Sequence, residues 1–281
     1  MAFKLIEPSY EIIDQKEYDL VSIKKHIERC ARVSYKSEDK ITEDSYKKFV
    51  SMLIERKHYR PLEFGTVCLK MPIFEYYKHN LNKLNPLWSR THLDSSAMYL
   101  TTNYRALIEH FTVELPYNNP IDIVDGLINA FGNNHGYNPR HTVHFIIDRG
   151  TMDEFRTHIT LSHLAESTRY CNYSKDKFDN SVTFIKHPWM SNNWPLNLPE
   201  VLYETLGNCA DIYMQLLKFN VAPQMARAVL PLSIKSELIS CGFEDAWENF
   251  FSKRAASDAH PDAQEITIPL MKDFESLKIN Q

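Results

Sequence analysis

Apolar residues recur at helical spacing in three stretches of the 281-residue chain. After Thr42 the stripe is Tyr46, Phe49, Val50, Leu53 and Ile54, which predicts a helix capped by Thr42 with Glu43 and Asp44 in its first turn. Leu202, Leu206, Cys209, Tyr213 and Leu216 predict a long helix in the second half, and Phe243, Ala246, Trp247, Phe250 and Phe251 predict another. Short apolar runs predict strands at Thr66–Leu69 and Thr142–Ile147, and Val229, Leu230 and Leu232 suggest one more, interrupted by Pro231. Between the first two strands, residues 72–140 read as an insertion carrying a helix through Leu107 and Ile108. Pro188, Pro195 and Pro199 mark 186–199 as a loop. Strands and helices mix without regular alternation and no linker stands out, so the expectation is a single α+β domain over 1–281.

Composition narrows the function classes. Apolar residues make up 43% and charged residues 24%, enough apolar content for a folded globular chain. No apolar run nears the roughly 20 residues that span a bilayer, and the N-terminus lacks a signal-peptide core. A net charge of −4 gives no basic field for nucleic acid. These readings predict a cytoplasmic protein that binds neither nucleic acid nor membrane. The scattered cysteines, Cys30, Cys68, Cys171, Cys209 and Cys241, read as free thiols. No metal site is expected, because His141 and His144 sit three apart on a strand and point to opposite faces, and His158 and His163 do not share a helical face. The 7 glycines never fall as G-x-G, so any nucleotide must be held by side chains and helix ends.

Two places carry candidate chemistry. Eleven residues beyond Phe243, close to three helical turns, Arg254 falls on the apolar stripe. A guanidinium there either pairs with a structural carboxylate or faces an anionic ligand. Residues 154–174 are dense in hydrogen-bonding groups, and Ser167, Arg169 and Tyr170 together suit a phosphate, though such a run also reads as a solvated helix end.

The run Glu166-Ser167-Thr168-Arg169-Tyr170 resembles the end of the R-H-R-x-x-S-x-N-E-x-S-x-R-Y signature of flavin-dependent thymidylate synthases. Ala31-Arg32-Val33-Ser34, His58 through Glu63, Ala226 through Leu232, Asn249 through Arg254, and His260 with Gln264 resemble further segments of that family, in family order. The resemblance implies a mixed α/β fold with a central antiparallel sheet flanked by long helices, a homotetramer, and sites assembled from several subunits. It implies reductive methylation of dUMP to dTMP, with methylenetetrahydrofolate giving the carbon, FAD the hydride and NADPH the electrons. Carried over by position, Arg254 is the catalytic arginine that favours the uracil anion. Glu154, Ser167, Thr168, Arg169, Tyr170, Arg227 and Arg254 are implied dUMP contacts. Ser34, His58, Arg60, Glu63, Arg156, Thr157, His158 and Asn249 are the implied flavin-side residues. Cys171 matches no catalytic position.

The chain departs from the family at the flavin-side motif. Aligned without gaps from Ser167, His158 takes the central histidine and Thr157 and Ile159 take the two arginine positions. A one-residue gap instead matches Arg156 to the first arginine, with Thr157 and His158 following. Leu164 and Ala165 replace the N-E pair, Phe64 replaces a histidine after Glu63, and Arg60 replaces a threonine. The alternative reading is therefore a divergent homologue that binds a pyrimidine nucleotide with altered one-carbon chemistry or without catalysis.

Overall fold

The computed structural model describes residues 3–133, 137–169, 171–191 and 198–279. In chain order its main elements are β1 (Phe3–Ile6), β2 (Ser9–Ile12), α1 (Leu20–Val33), α2 (Ser45–Glu55), β3 (Thr66–Met71), α3 (Ile73–Lys78), β4 (Arg90–Leu93), β5 (Met98–Asn103), α4 (Tyr104–Glu114) and α5 (Pro120–Phe131). The second half contains β6 (Arg140–Asp148), α6 (Arg149–Phe155), β7 (Ser162–Ala165), β8 (Val182–Ile185), α7 (Leu198–Lys218), α8 (Pro223–Ala226), β9 (Lys235–Phe243), α9 (Glu244–Arg254) and α10 (Pro261–Ile279).

The expected α+β class holds. An antiparallel four-stranded sheet in the order β2-β6-β9-β7 forms the centre. Its β6–β9 pairing runs from Arg140 opposite Phe243 to Asp148 opposite Lys235. Val143, Phe145 and Ile147 alternate onto the face that packs on α6, α9 and α10, where Phe155, Trp247, Phe250 and Phe274 join them. A second antiparallel sheet, β3-β5-β4, shares a separate core with α1, α2, α4 and α5. Residues 72–140, expected as an insertion, thus supply two of the three strands of that sheet and two of its covering helices. The expected helix through Leu107 and Ile108 is α4, with both residues fully buried. A parallel β1–β8 pair packs with α7, whose Leu206, Ala210 and Tyr213 are buried.

Three boundaries differ from the sequence reading. The helix expected from Thr42 begins at Ser45 with Asp44 as cap, because Thr42 folds back: its N–H donates to Ser45 Oγ at 2.9 Å, and Ser45 Oγ donates to Glu28 Oε2 at 2.7 Å. In the expected loop 186–199, Pro188–Ser191 makes a 3-10 turn and α7 already starts at Leu198, while Pro195 lies outside the described residues. The suggested strand at Val229–Leu232 does not form. Arg227–Val229 is a 3-10 turn, and the strand lies just beyond it as β9. Strand β9 is polar at Lys235, Ser236, Glu237 and Ser240, yet the last three are buried. Glu237 accepts from Lys36 at 2.7 Å, lies 2.9 Å from His144 Nε2 and also bonds Lys235. Burial alone would raise its carboxyl, but His144, Lys235 and Lys36 hold it well below the usual range.

Candidate active site

Helices α6 and α9 place the first constellation. Asp148 caps α6 by accepting from the Thr151 N–H at 2.9 Å. That helix presents Glu154 in its last turn, and the chain turns at Arg156 through His158. Arg254 is in the last turn of α9, and the hydroxyl of Thr267 on α10 donates to its carbonyl at 2.7 Å. The guanidinium donates to Glu154 Oε2 at 2.6 Å, to the Glu154 carbonyl at 2.8 Å, to Thr157 Oγ1 at 3.0 Å and to His158 Nε2 at 3.0 Å. The reading that Arg254 pairs with a carboxylate is realised, and the guanidinium also lines a cavity of about 640 Å³ with Glu154, Thr157, His158, Asn249 and His260.

His158 is a poor base in this setting. Burial first, and the Arg254 guanidinium second, push its imidazole down to about 4. A neutral ring leaves Nε2 free to accept from Arg254, which fixes the tautomer. Across 156–159, Thr157 and His158 face Arg254, while Arg156 is exposed and pairs with Asp153 at 3.4 Å. Ile159, also on the cavity lining, is 79% exposed where the ungapped alignment has the second arginine.

The second constellation lies at the end of α2. The helix closes with Lys57 in the left-handed region at φ 57°, the Lys57 N–H on the Ile54 carbonyl and the His58 N–H on the Leu53 carbonyl. This double closure reverses the chain and sets Arg56, Lys57 and His58 side by side. A 3-10 turn at Arg60–Phe64 follows. Arg56, Lys57, His58, Arg60 and Arg105 all line one cavity of about 680 Å³, with Ser34 on its wall. Arg60 Nε donates to the His163 carbonyl at 3.3 Å. Glu63 is behind the wall, 2% exposed, bonded to Arg105, which also donates to Glu109 at 2.9 Å. Arg56, Lys57 and Arg105 escaped the sequence reading. They match no family segment, and only the turn at Lys57 and the position of α4 bring them in.

Strand β7 joins the two constellations. His163 Nε2 lies 3.0 Å from the His158 carbonyl at one end, Leu164 lines the cationic cavity, and the Ser167 N–H donates to the Ser34 carbonyl at 3.2 Å beyond the other end. Four residues of strand span about 13 Å. The implied dUMP contacts therefore divide within one chain. Glu154 and Arg254 sit at the α9 end, whereas Ser167, Thr168, Arg169 and Arg227 lie past β7, with Arg227 donating to Thr168 Oγ1 at 2.8 Å. The implied flavin residues divide too: Thr157, His158 and Asn249 with Arg254, and Ser34, His58 and Arg60 with the cationic cavity. Tyr170 lies outside the described residues. Burial and the Glu166 carboxylate push the Cys171 thiol up, so it is no nucleophile, and all five cysteines are free. Among the described residues no helix is long and apolar enough to cross a membrane.

The comparisons follow this geometry. No curated protein matches the chain. Among solved structures it is similar to a UMP/dUMP methylase, PolB from Streptomyces cacaoi, bound with 5-Br UMP: 15% identity, TM-score 0.46, over 99% of this chain and 93% of that one. The family model described as thymidylate synthase complementing protein matches residues 138–277, a span holding Glu154, His158, Ser167, Arg227 and Arg254 but not Ser34 or His58. With its signature residues gathered around Arg254 and beyond β7, the 138–277 region of the chain belongs to the thymidylate synthase complementing protein family, that of the flavin-dependent thymidylate synthases.

Proposed function

We propose that the chain methylates the uracil ring of dUMP reductively, as a flavin-dependent thymidylate synthase with a rebuilt cofactor pocket. The observation that carries this reading is the Arg254 network: a half-buried guanidinium with four hydrogen bonds to Glu154, Thr157 and His158, at the wall of a cavity open to a ligand. A positive charge held in place there favours the uracil anion, which is the form that attacks an electrophilic carbon, and donors fixed in advance need no reorganisation when charge develops. Neutral His158 orients the guanidinium without competing for negative charge. Glu154 neutralises Arg254 until a ligand arrives, and its carboxylate is then the acceptor beside the guanidinium for the N3 proton whose loss leaves the anion.

The second cavity fits a phosphate-rich cofactor. Its five cationic or imidazole side chains sit on a wall whose main carboxylate, Glu63, is turned inward to Arg105. Arg56 and Lys57 supply charge on the lining of this cavity, which Arg156, turned to Asp153, does not join. FAD, when bound, supplies the hydride, with NADPH and methylenetetrahydrofolate as co-substrates. The chain's own residues grip phosphate through charge-assisted bonds and keep the site ordered. Because Arg254 and the Ser167–Arg169 segment stand at opposite ends of β7, we take each nucleotide site to be completed by a second copy of the chain, in a homotetramer.

Purified protein is tested by its visible spectrum, by dUMP titration and by conversion of dUMP to dTMP with the folate and NADPH. The reading predicts a flavin band, a spectral change with dUMP, and product. Tight dUMP binding by protein that FAD cannot reconstitute supports the non-catalytic alternative instead.

A further inference from the structure

A third cluster belongs to neither cavity wall described above. Asp148 ends β6, His187 follows β8, and Asp262 is in the first turn of α10. One ligand atom from each lies within 4.8 Å of the others, and the three residues are 4%, 8% and 8% exposed. His187 Nδ1 is 2.7 Å from Asp262 Oδ2, and the ring is stacked on Trp189 with centroids 5.1 Å apart and planes 8° off parallel. A plain His–Asp pair accounts for that contact alone. It leaves Asp262 Oδ1 buried with no hydrogen-bond partner among the described residues, and Glu265 Oε2, one turn along α10, in the same condition. It also leaves a second carboxylate, Asp148, inside the same shell. Buried carboxylate oxygens without donors are costly, and a cation is the partner that relieves several at once.

A cavity of about 430 Å³ opens onto all three residues and shares Glu154 and His260 with the Arg254 cavity. We infer that Asp148, His187 and Asp262 form a binding site for a divalent first-row transition-metal ion. One imidazole nitrogen with two carboxylates suits Zn²⁺ or Mn²⁺, with water from the cavity completing the coordination. The ion fastens the end of β6, the 187–190 segment and the start of α10 to one another, directly behind Glu154. The site does not depend on the nucleotide reading and stands if that reading fails.

The test uses the full chain, stripped with chelator and dialysed, titrated separately with Mn²⁺ and Zn²⁺ by calorimetry and followed by melting temperature. The expected result is one equivalent per chain and a raised Tm, with an electron-spin-echo signal of Mn²⁺ coupled to one imidazole nitrogen. Asp148→Asn, Asp262→Asn and His187→Gln each weaken binding by more than the roughly 10–100-fold that losing a bracing residue costs. Asp148→Asn retains the α6 cap, since asparagine caps equally well, so its loss of metal is separable from unfolding. Absence of saturable binding, absence of nitrogen coupling, or binding unchanged in the variants overturns the assignment.

Discussion

The Arg254 constellation and the cationic cavity show two ways of holding charge. Around Arg254 one guanidinium is fixed by four hydrogen bonds to three residues, one of them the Glu154 carboxylate, within the region that matches the family. At the end of α2, several cations face open space, are mostly exposed, and lie outside that region. Under the proposed function the first arrangement steers charge on a small ring at a defined atom, and the second attracts a polyanion whose phosphates tolerate more than one set of donors. The difference in the two arrangements is one of fixation: the first guanidinium is held in one orientation by its partners, while the exposed cations at the end of α2 are free to meet a ligand in more than one way.

The largest effect should come from removing Arg105, the cation on the second cavity that is paired with buried Glu63. Arg105→Ala leaves the Glu63 carboxylate buried and unpaired, which should destabilise the fold by about 3–5 kcal/mol in urea unfolding. Adding Glu63→Gln should recover much of this; no recovery would mean that the cavity wall does not depend on that pair. Next, Arg254→Ala should lower turnover by about 10²–10³-fold, the usual loss on removing a donor that stabilises developing charge, with flavin content unchanged. Equal loss of flavin would erase the distinction between the two regions.

Smaller and opposite in kind, Arg56→Ala and Arg60→Ala should each cost about 1.5–3 kcal/mol of flavin affinity, the worth of one charge-assisted bond, and leave dUMP affinity within about twofold. Fluorescence of released flavin measures the first and calorimetry the second. Separate from these site effects is the dependence of stability on pH. His26, His158 and His163 are all pushed by burial from 6.5 down to about 4, with Arg254 adding to the effect at His158. A depressed histidine binds its proton only on unfolding, so its contribution is complete above pH 6.5 and is lost as pH falls towards 4. Stability should drop by about 1.4 kcal/mol per pH unit per histidine across that window. His158→Gln should remove only its own share; a flat profile between pH 6.5 and 4 would show that these rings are already charged in the folded state.

The sequence was most legible where one element carries both its packing and its chemistry. Helix α9 announces itself through Ala246, Trp247, Phe250 and Phe251, and the same period brings Arg254 to the site. Strand β9 lies beyond the strand expected at Val229–Leu232 because its polar Glu237 and Ser240 break the apolar run, and their burial depends on Lys36, His144 and His163 from other elements. The displaced arginine was ambiguous in one dimension; only the turn after α6 shows that Arg156 faces Asp153 and that His158 faces Arg254. The cluster of Asp148, His187 and Asp262 had no sequence signal at all, since its members come from a strand end, a turn and a helix start far apart along the chain.

The central claim is that flavin binding survives the altered 156–159 segment because the α2 end supplies the charge. The direct measurement is the visible spectrum of purified wild-type protein after reconstitution with FAD, beside that of a double variant, Arg56→Ala with Arg60→Ala. The account predicts a stoichiometric flavin band in the wild type that dUMP perturbs, and its loss in the double variant. Colourless wild-type protein, or a double variant that holds flavin as tightly as the wild type, would contradict it.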